Sequence, residues 1–249
     1  MKINGTRLKE ARYFRKMTIT ELAEQIGVTK QMVSRYERNT GEPSLETFQK
    51  IVGALKFPTN FFVEDDIYNI ESKGTFYRSR LTATQTEKKP SEFYQKAACY
   101  IRDYFENNIE FPKLSEIHQS FNNPAEAANY IRKKWGLGNK PIPNMMRLLE
   151  EHGMVVYIAE NDSTKVNAHS GWIGVNHHMY FIVALDSNSN TFFNQQFSLA
   201  HELGHYVLHA GLNPQIVDKE EYRKMEQEAE EFASNFLLPA KEFSESVST

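Results

Sequence analysis

A chain of 249 residues has room for one large domain or two modest ones, each with its own core. With 24% charged and 40% hydrophobic residues it reads as a folded protein and not a disordered one, and no stretch approaches the ~18 uninterrupted apolar residues of a membrane span. The first residues lack the apolar core of a signal peptide, and the single Cys99 has no internal disulfide partner, so a cytoplasmic protein is expected. The net charge of −3 is unevenly spread. Residues 1–63 hold 11 Lys/Arg against 6 Asp/Glu and the rest holds 18 against 26, which points to a polyanionic partner for the first part alone.

In chain order, Thr6 to Arg12 has helical spacing, with Leu8 and Ala11 inward and the arginines outward. Thr18 with Glu21 three residues on forms a capping box. The helix it opens, Ile19 to Ile26, is closed by Gly27. Thr29 caps a third helix from Lys30 to about Arg38, and two short helices joined by a glycine-containing turn form a helix-turn-helix. The run Met-Thr-Ile-Thr-Glu-Leu-Ala-Glu-Gln-Ile-Gly-Val-Thr-Lys-Gln-Met-Val-Ser-Arg-Tyr-Glu-Arg, followed by Glu-Pro-Ser-Leu-Glu-Thr, resembles the lambda-repressor-like (Xre-type) DNA-binding domain over residues 3 to about 62.

That resemblance implies five helices, with Ser44 capping the fourth, Pro58 opening the fifth, and Phe61 and Phe62 closing the core. The third helix would enter the major groove of double-stranded operator DNA. Lys30, Gln31, Ser34 and Arg35 fall on its outward face, Val33 and Tyr36 on its inward one. Gln31 suits adenine and Arg35 guanine, each able to bond two atoms of one base, while Lys30 suits a base or a phosphate. Ile19 departs from the family, where relatives place a glutamine that bonds backbone phosphate. Domains of this type bind as dimers, so a homodimer is expected. The alternative is a helix-turn-helix kept only for protein contact, which the charge and the outward-facing residues disfavour.

Residues 64–119 read as a linker and connecting helix. Ser72-Lys73-Gly74 looks like linker, and Phe76-Tyr77-Arg78-Ser79-Arg80 could pack on either neighbour. From Pro90 to about Asn108, Phe93, Ala97, Tyr100, Ile101, Tyr104 and Phe105 recur at helical spacing, which predicts a core or dimer-seam stripe ended by Pro112.

Residues 120–249 read as α+β. Asn123-Pro124 opens a helix to about Trp135, and Pro143 opens another that ends at Gly153. Three strands are predicted, at Met154–Ile158, Gly171–Val175 and Met179–Ala184, the last two joined by Asn176-His177-His178. Thr191 starts a long helix, and a final one spans about Arg223 to Leu238 before Pro239.

The long helix carries His201-Glu202-Leu203-Gly204-His205. Two histidines four apart share one helix face and can reach one metal ion, and Glu202 can reach a metal-bound water as general base, the zinc-peptidase spacing H-E-x-x-H. A catalytic zinc takes three protein ligands. His209 stands ~12 Å along the helix from His201, too far to share the ion, and reads as a supporting or helix-end residue. Glu226, Glu228, Glu230 and Glu231 are the candidates for the third ligand, and spacing does not choose among them.

Gln-Phe-Ser-Leu-Ala-His-Glu-Leu-Gly-His-Tyr-Val-Leu-His, with Glu-Gln-Glu-Ala-Glu-Glu-Phe-Ala-Ser-Asn-Phe-Leu-Leu-Pro, resembles the ImmA/IrrE metallopeptidase family over about residues 120 to 242. The resemblance implies Glu228 as third ligand beside His201 and His205, with Zn²⁺ as the ion and Mn²⁺ as a substitute in vitro. Glu230 replaces the family's asparagine, and the chain ends ten residues after Pro239, so no further C-terminal domain is expected. Tyr180, His169 and His178 are the candidate oxyanion stabilisers, and Tyr180–Ala184 the candidate edge for a substrate peptide.

The expected fold is therefore mainly α with a small sheet. An all-α five-helix DNA-binding domain (1–63) and a linker (64–119) precede a zincin-like α+β metallopeptidase domain (120–249). The expected function is a DNA-binding regulator with a zinc endopeptidase that cleaves a repressor protein. The alternative is a repressor or antitoxin whose second domain is a non-cleaving scaffold for a partner or ligand.

Overall fold

Side chains that cap helices set most boundaries near the N-terminus. The computed structural model describes residues 2–65, 70–77, 85–117, 119–159, 168–187, 191–209, 211–212 and 216–239. The expected packing of Arg78-Ser79-Arg80 lies outside them. The chain forms two compact units, Met1–Asn69 with Ala83–Tyr94, and Ile70–Thr82 with Gln95–Thr249.

The first unit holds α1 (Gly5–Phe14), α2 (Ile19–Ile26), α3 (Lys30–Glu37), α4 (Leu45–Leu55) and α5 (Thr59–Val63). Asn4, Thr18, Thr29 and Ser44 each accept a bond from a first-turn N–H, and Thr18 and Glu21 complete both halves of a capping box. Gly27 ends α2 at φ +73°, a conformation that a side chain resists. Leu8, Leu22, Val33, Ile51, Leu55 and Phe62 are fully buried and form the core. Phe57, Phe61 and Phe93 form a ring cluster with Phe14.

One expectation for α1 fails. Arg12 points inward at 3% exposure, pairing through Nε and Nη2 with the Glu37 carboxylate at 2.6 and 3.0 Å and donating to Met17 O at 2.8 Å. The two-pronged guanidinium–carboxylate geometry satisfies both charges and ties α1 to the end of α3.

The second unit is built on a four-stranded sheet of order β1-β3-β4-β2: β1 (Ile70–Tyr77), β2 (Val155–Ala159), β3 (Ala168–Val175) and β4 (His178–Asp186). β3 and β4 form an antiparallel hairpin across Asn176-His177, with Asn176 at φ +54°, and β2 adds parallel to β4. β1, in the segment expected to be linker, pairs antiparallel with β3. Its polar Ser72-Lys73-Gly74 marks a shift of register and not a break in pairing, which is why the stretch lacks the alternation of a regular strand.

Its helices are the later part of α6 (Gln85–Glu106), then α7 (Pro124–Lys134), α8 (Met145–Glu151), α9 (Phe192–His209) and α10 (Lys219–Leu237). α10 begins four residues before the expected Arg223 because Asp218 caps it, accepting from Glu220 and Glu221 N–H. Phe181, Val183 and Leu185 of one sheet face pack with Leu199, Leu203 and Tyr206 of α9 and with Phe232 and Phe236 of α10.

The stripe predicted for α6 is corrected. Among its described side chains Gln95, Cys99 and Asp103 are buried, whereas Ile101, Tyr104 and Phe105 are exposed. Phe93 joins an aromatic cluster with Phe14 and Phe57, in the first unit. α6 buries a polar side because its end meets hydrogen-bonding groups: Asp103 accepts from Tyr180 OH at 3.1 Å, contacts His178 Nδ1 at 2.8 Å and accepts from Asn176 at 3.1 Å. The helix stops at Glu106, well short of Pro112, where the Asn107 amide donates to the carbonyls of Asp103 and Tyr104. Among the described residues, no helix is long and apolar enough to cross a membrane.

Candidate metal centre

Thr191 opens α9 by accepting from Asn194 N–H at 3.2 Å. Gln196 accepts from Met145 N–H at 2.7 Å, and Tyr206 OH donates to Ser115 O at 2.7 Å, so both ends of the helix are tied to the rest of the unit. His201 and His205, one turn apart, bring their Nε2 atoms to 3.1 Å. α10 crosses closely at Gly204. A Cβ there would stand 3.1 Å from Ala229 Cα and 3.2 Å from Phe232 Cδ1, so glycine is what lets the second helix approach.

That approach delivers Glu226. Its Oε2 lies 3.4 Å from His201 Nε2 and its Oε1 3.4 Å from His205 Nε2. At zinc–ligand bonds of about 2.05 Å, two donors on a tetrahedral ion stand about 3.3 Å apart. The imidazole nitrogens stand 3.1 Å apart and each faces a different oxygen of the Glu226 carboxylate at 3.4 Å, and one donor atom from each residue lies within 4.8 Å of the others, close enough to share one ion. His201, His205 and Glu226 are the set among the described residues whose donor atoms could hold one metal ion. Zinc fits these donors in kind, two imidazole nitrogens and a carboxylate.

Burial pushes His205 down to about 4 against the pull of Glu226, which keeps its ring neutral near pH 7. Burial alone would raise the Glu226 carboxyl, but the adjoining His201 and His205 rings outweigh it and hold the group far below the carboxylate range. Both shifts favour a metal-ready state.

The expected third ligand, Glu228, is not the carboxylate that this geometry brings to His201 and His205. Glu228 lies against His209, with Oε2 3.0 Å from His209 Nε2, and its other oxygen is 3.7 Å from Lys224 Nζ. Two residues along a helix amount to a rotation of about 200°, so Glu226 and Glu228 cannot reach the same point. The buried residues Tyr222, Met225, Ala229, Phe232 and Phe236 mark the inner side of α10, and the two glutamates flank it on opposite edges. A helical wheel therefore cannot choose between them. The choice depends on which edge faces the histidines of α9.

Residues 149–249 match a peptidase-family model described as IrrE N-terminal-like domain, and residues 8–62 a model described as Helix-turn-helix. The chain carries a helix-turn-helix domain followed by an IrrE N-terminal-like domain. It is 36% identical over 69 residues to the uncharacterized HTH-type transcriptional regulator y4wC of Sinorhizobium fredii, covering 28% of this chain and 48% of that protein. It is 38% identical over 59 residues to the HTH-type transcriptional regulator SutR of Escherichia coli, covering 24% of this chain and 33% of that one. The chain thus spans less than half the length of either relative. A solved structure titled SinR protein/SinI protein complex aligns with 20% identity over 41% of this chain and 91% of that chain, at a TM-score of 0.23.

In the IrrE N-terminal-like domain, Glu202 is 1% exposed beside the histidines. His209 lies in the same buried row, its Nδ1 3.1 Å from His205 Nδ1. The oxyanion candidates lie elsewhere. Trp172 and Phe181 face Tyr206 of α9, so strand alternation turns His169 and Tyr180 to the opposite side of the sheet. There Tyr180 OH donates to Glu106 at 2.8 Å and to Asp103, and His178 contacts Asp103. The strand chosen as a substrate edge is also corrected. β4 is paired on both sides, and the edges are β1 and β2. In the helix-turn-helix domain, Lys30, Gln31 and Arg35 are exposed on α3 and Ser34 is half-buried, while Val33 and Tyr36 are buried.

Proposed function

We propose that the chain is a DNA-binding transcriptional regulator whose second domain is a zinc-dependent endopeptidase acting on a repressor protein, relieving repression of stress or mobile-element genes. The observation that carries the peptidase half is the convergence of His201, His205 and Glu226 beside the buried Glu202. Bound zinc supplies a water acidified toward pKa ~7 and a Lewis acid for the scissile carbonyl. Glu202 acts as general base, accepting a proton and returning it to the leaving amine. In the first domain, Gln31 and Arg35 read bases and Lys30 and Ser34 position α3 on the duplex, as a homodimer on two half-sites ~34 Å apart.

The relevant test incubates the zinc-loaded chain with the repressor encoded beside it. Wild type is expected to cleave it, and Glu202→Gln to retain zinc while losing cleavage by at least about a hundredfold. Equal cleavage by both proteins would remove the peptidase reading. For the first domain, Arg35→Ala is expected to abolish salt-sensitive operator binding. Unchanged affinity across operators would remove the base-reading role of that face.

One observation favours a second reading, a non-cleaving scaffold that binds a partner. His201, Glu202 and His205 are each 1% exposed, whereas a catalytic zinc keeps one position open. In that case wild type and Glu202→Gln both bind the neighbouring repressor and neither cleaves it.

A further inference from the structure

The contacts behind His205 form a chain that leads away from the metal-facing nitrogen. Glu228 Oε2 lies 3.0 Å from His209 Nε2, His209 Nδ1 lies 3.1 Å from His205 Nδ1, and His205 Nε2 faces His201 and Glu226. His205 and His209 are 1% and 3% exposed, so bulk water does not substitute for these contacts. His201 is supported differently, its buried Nδ1 having no hydrogen-bond partner among the described residues.

We infer that Glu228 and His209 are positioning residues that fix the tautomer and ring orientation of His205 for metal binding. This rests on the metal-site reading above and extends it to residues that do not touch the ion. A carboxylate only accepts, so the proton between Glu228 and His209 belongs to His209 Nε2. A neutral imidazole carries one proton, so His209 Nδ1 is left as an acceptor, and it takes the Nδ1–H of His205. His205 Nε2 is then unprotonated and aimed at the ion. Metal-binding histidines commonly donate their second N–H directly to a carboxylate. Here one further imidazole stands between the two, and that interposed ring accounts for His209 at the fourth position after His205. It also gives Glu228 a role at the site although it stands on the wrong edge of α10 to be a ligand.

The experiment measures Zn²⁺ affinity of the full chain by chelator competition for wild type, Glu228→Gln, Glu228→Ala and His209→Leu. It is paired with ¹⁵N shifts of the His205 ring in the zinc-bound protein and with thermal melts of the metal-free protein. Glu228 is partly exposed, so its variants are expected to melt as wild type does. Affinity should fall in the order wild type, Glu228→Gln, Glu228→Ala, with His209→Leu at least as weak as Glu228→Ala and the last two down about 10- to 100-fold. His205 should carry its proton on Nδ1 in wild type. A wild type that binds zinc tightly while all three variants stay within twofold of it overturns the relay and leaves the metal site standing. The relay is equally overturned if the proton of His205 is not on Nδ1 in wild type. A wild type that binds no zinc overturns the metal site itself, and the relay with it.

Discussion

The two domains are specified over different distances along the chain. In the helix-turn-helix domain the decisive contacts are short: Thr18 caps an N–H three residues away, Glu21 returns the bond, and Gly27 ends the helix where it stands. In the IrrE N-terminal-like domain they are long. Glu226 meets histidines more than twenty positions earlier, Tyr180 donates to Asp103 across 77 positions, and Arg132 reaches the carbonyl of Phe236 across 104. Short contacts make a boundary readable from sequence. Long contacts leave the choice of side chain to packing.

The largest effect tests a longer contact in the first domain, the buried pair joining residues 25 apart. Arg12→Ala strands the Glu37 carboxylate and is expected to cost about 3–5 kcal/mol in chemical denaturation. A loss under about 1 kcal/mol would show that this buried pair does not hold α1 to α3. Next is the α9–α10 crossing. Gly204→Val forces Ala229 and Phe232 outward, with an expected cost of about 1–3 kcal/mol and a parallel loss of zinc affinity as Glu226 withdraws. Unchanged affinity would mean that the close approach does not set the site.

A smaller effect comes from His169, which burial pushes down to about 3. The unfolded chain takes up this proton near 6.5 and the folded one does not, so its contribution is present above about 6.5 and is lost as pH falls toward 3. His169→Gln is expected to flatten the fall of melting stability between pH 6 and 5 by about 1 kcal/mol. An unchanged slope would place the acid sensitivity elsewhere. Thr18→Ala should cost least, about 1 kcal/mol in the same denaturation assay, because it removes one cap of one short helix. A cost near that of Arg12→Ala would blur the contrast between short and long contacts.

Reading the sequence recovered the five N-terminal helices, the caps Thr18, Thr29 and Ser44, the H-E-x-x-H helix and the β3–β4 hairpin. It missed β1, because a register shift through Ser72-Lys73-Gly74 erases alternation. It misread α6, because apolar periodicity marks a packed face only where the neighbour is apolar, and Asp103 is buried for its hydrogen bonds. Arg12 escaped for the same reason: its burial depends on Glu37, not on its own neighbours. For the third ligand, Glu226 and Glu228 flank the buried side of α10 symmetrically, and only the position of α9 separates them.

Zinc stoichiometry of Glu226→Ala and Glu228→Ala, purified and dialysed side by side, tests the metal centre most directly. Glu226→Ala should retain almost no zinc, and Glu228→Ala should still bind one ion per chain with weakened affinity. Full retention by Glu226→Ala together with loss by Glu228→Ala would contradict the assignment of Glu226 as the third ligand.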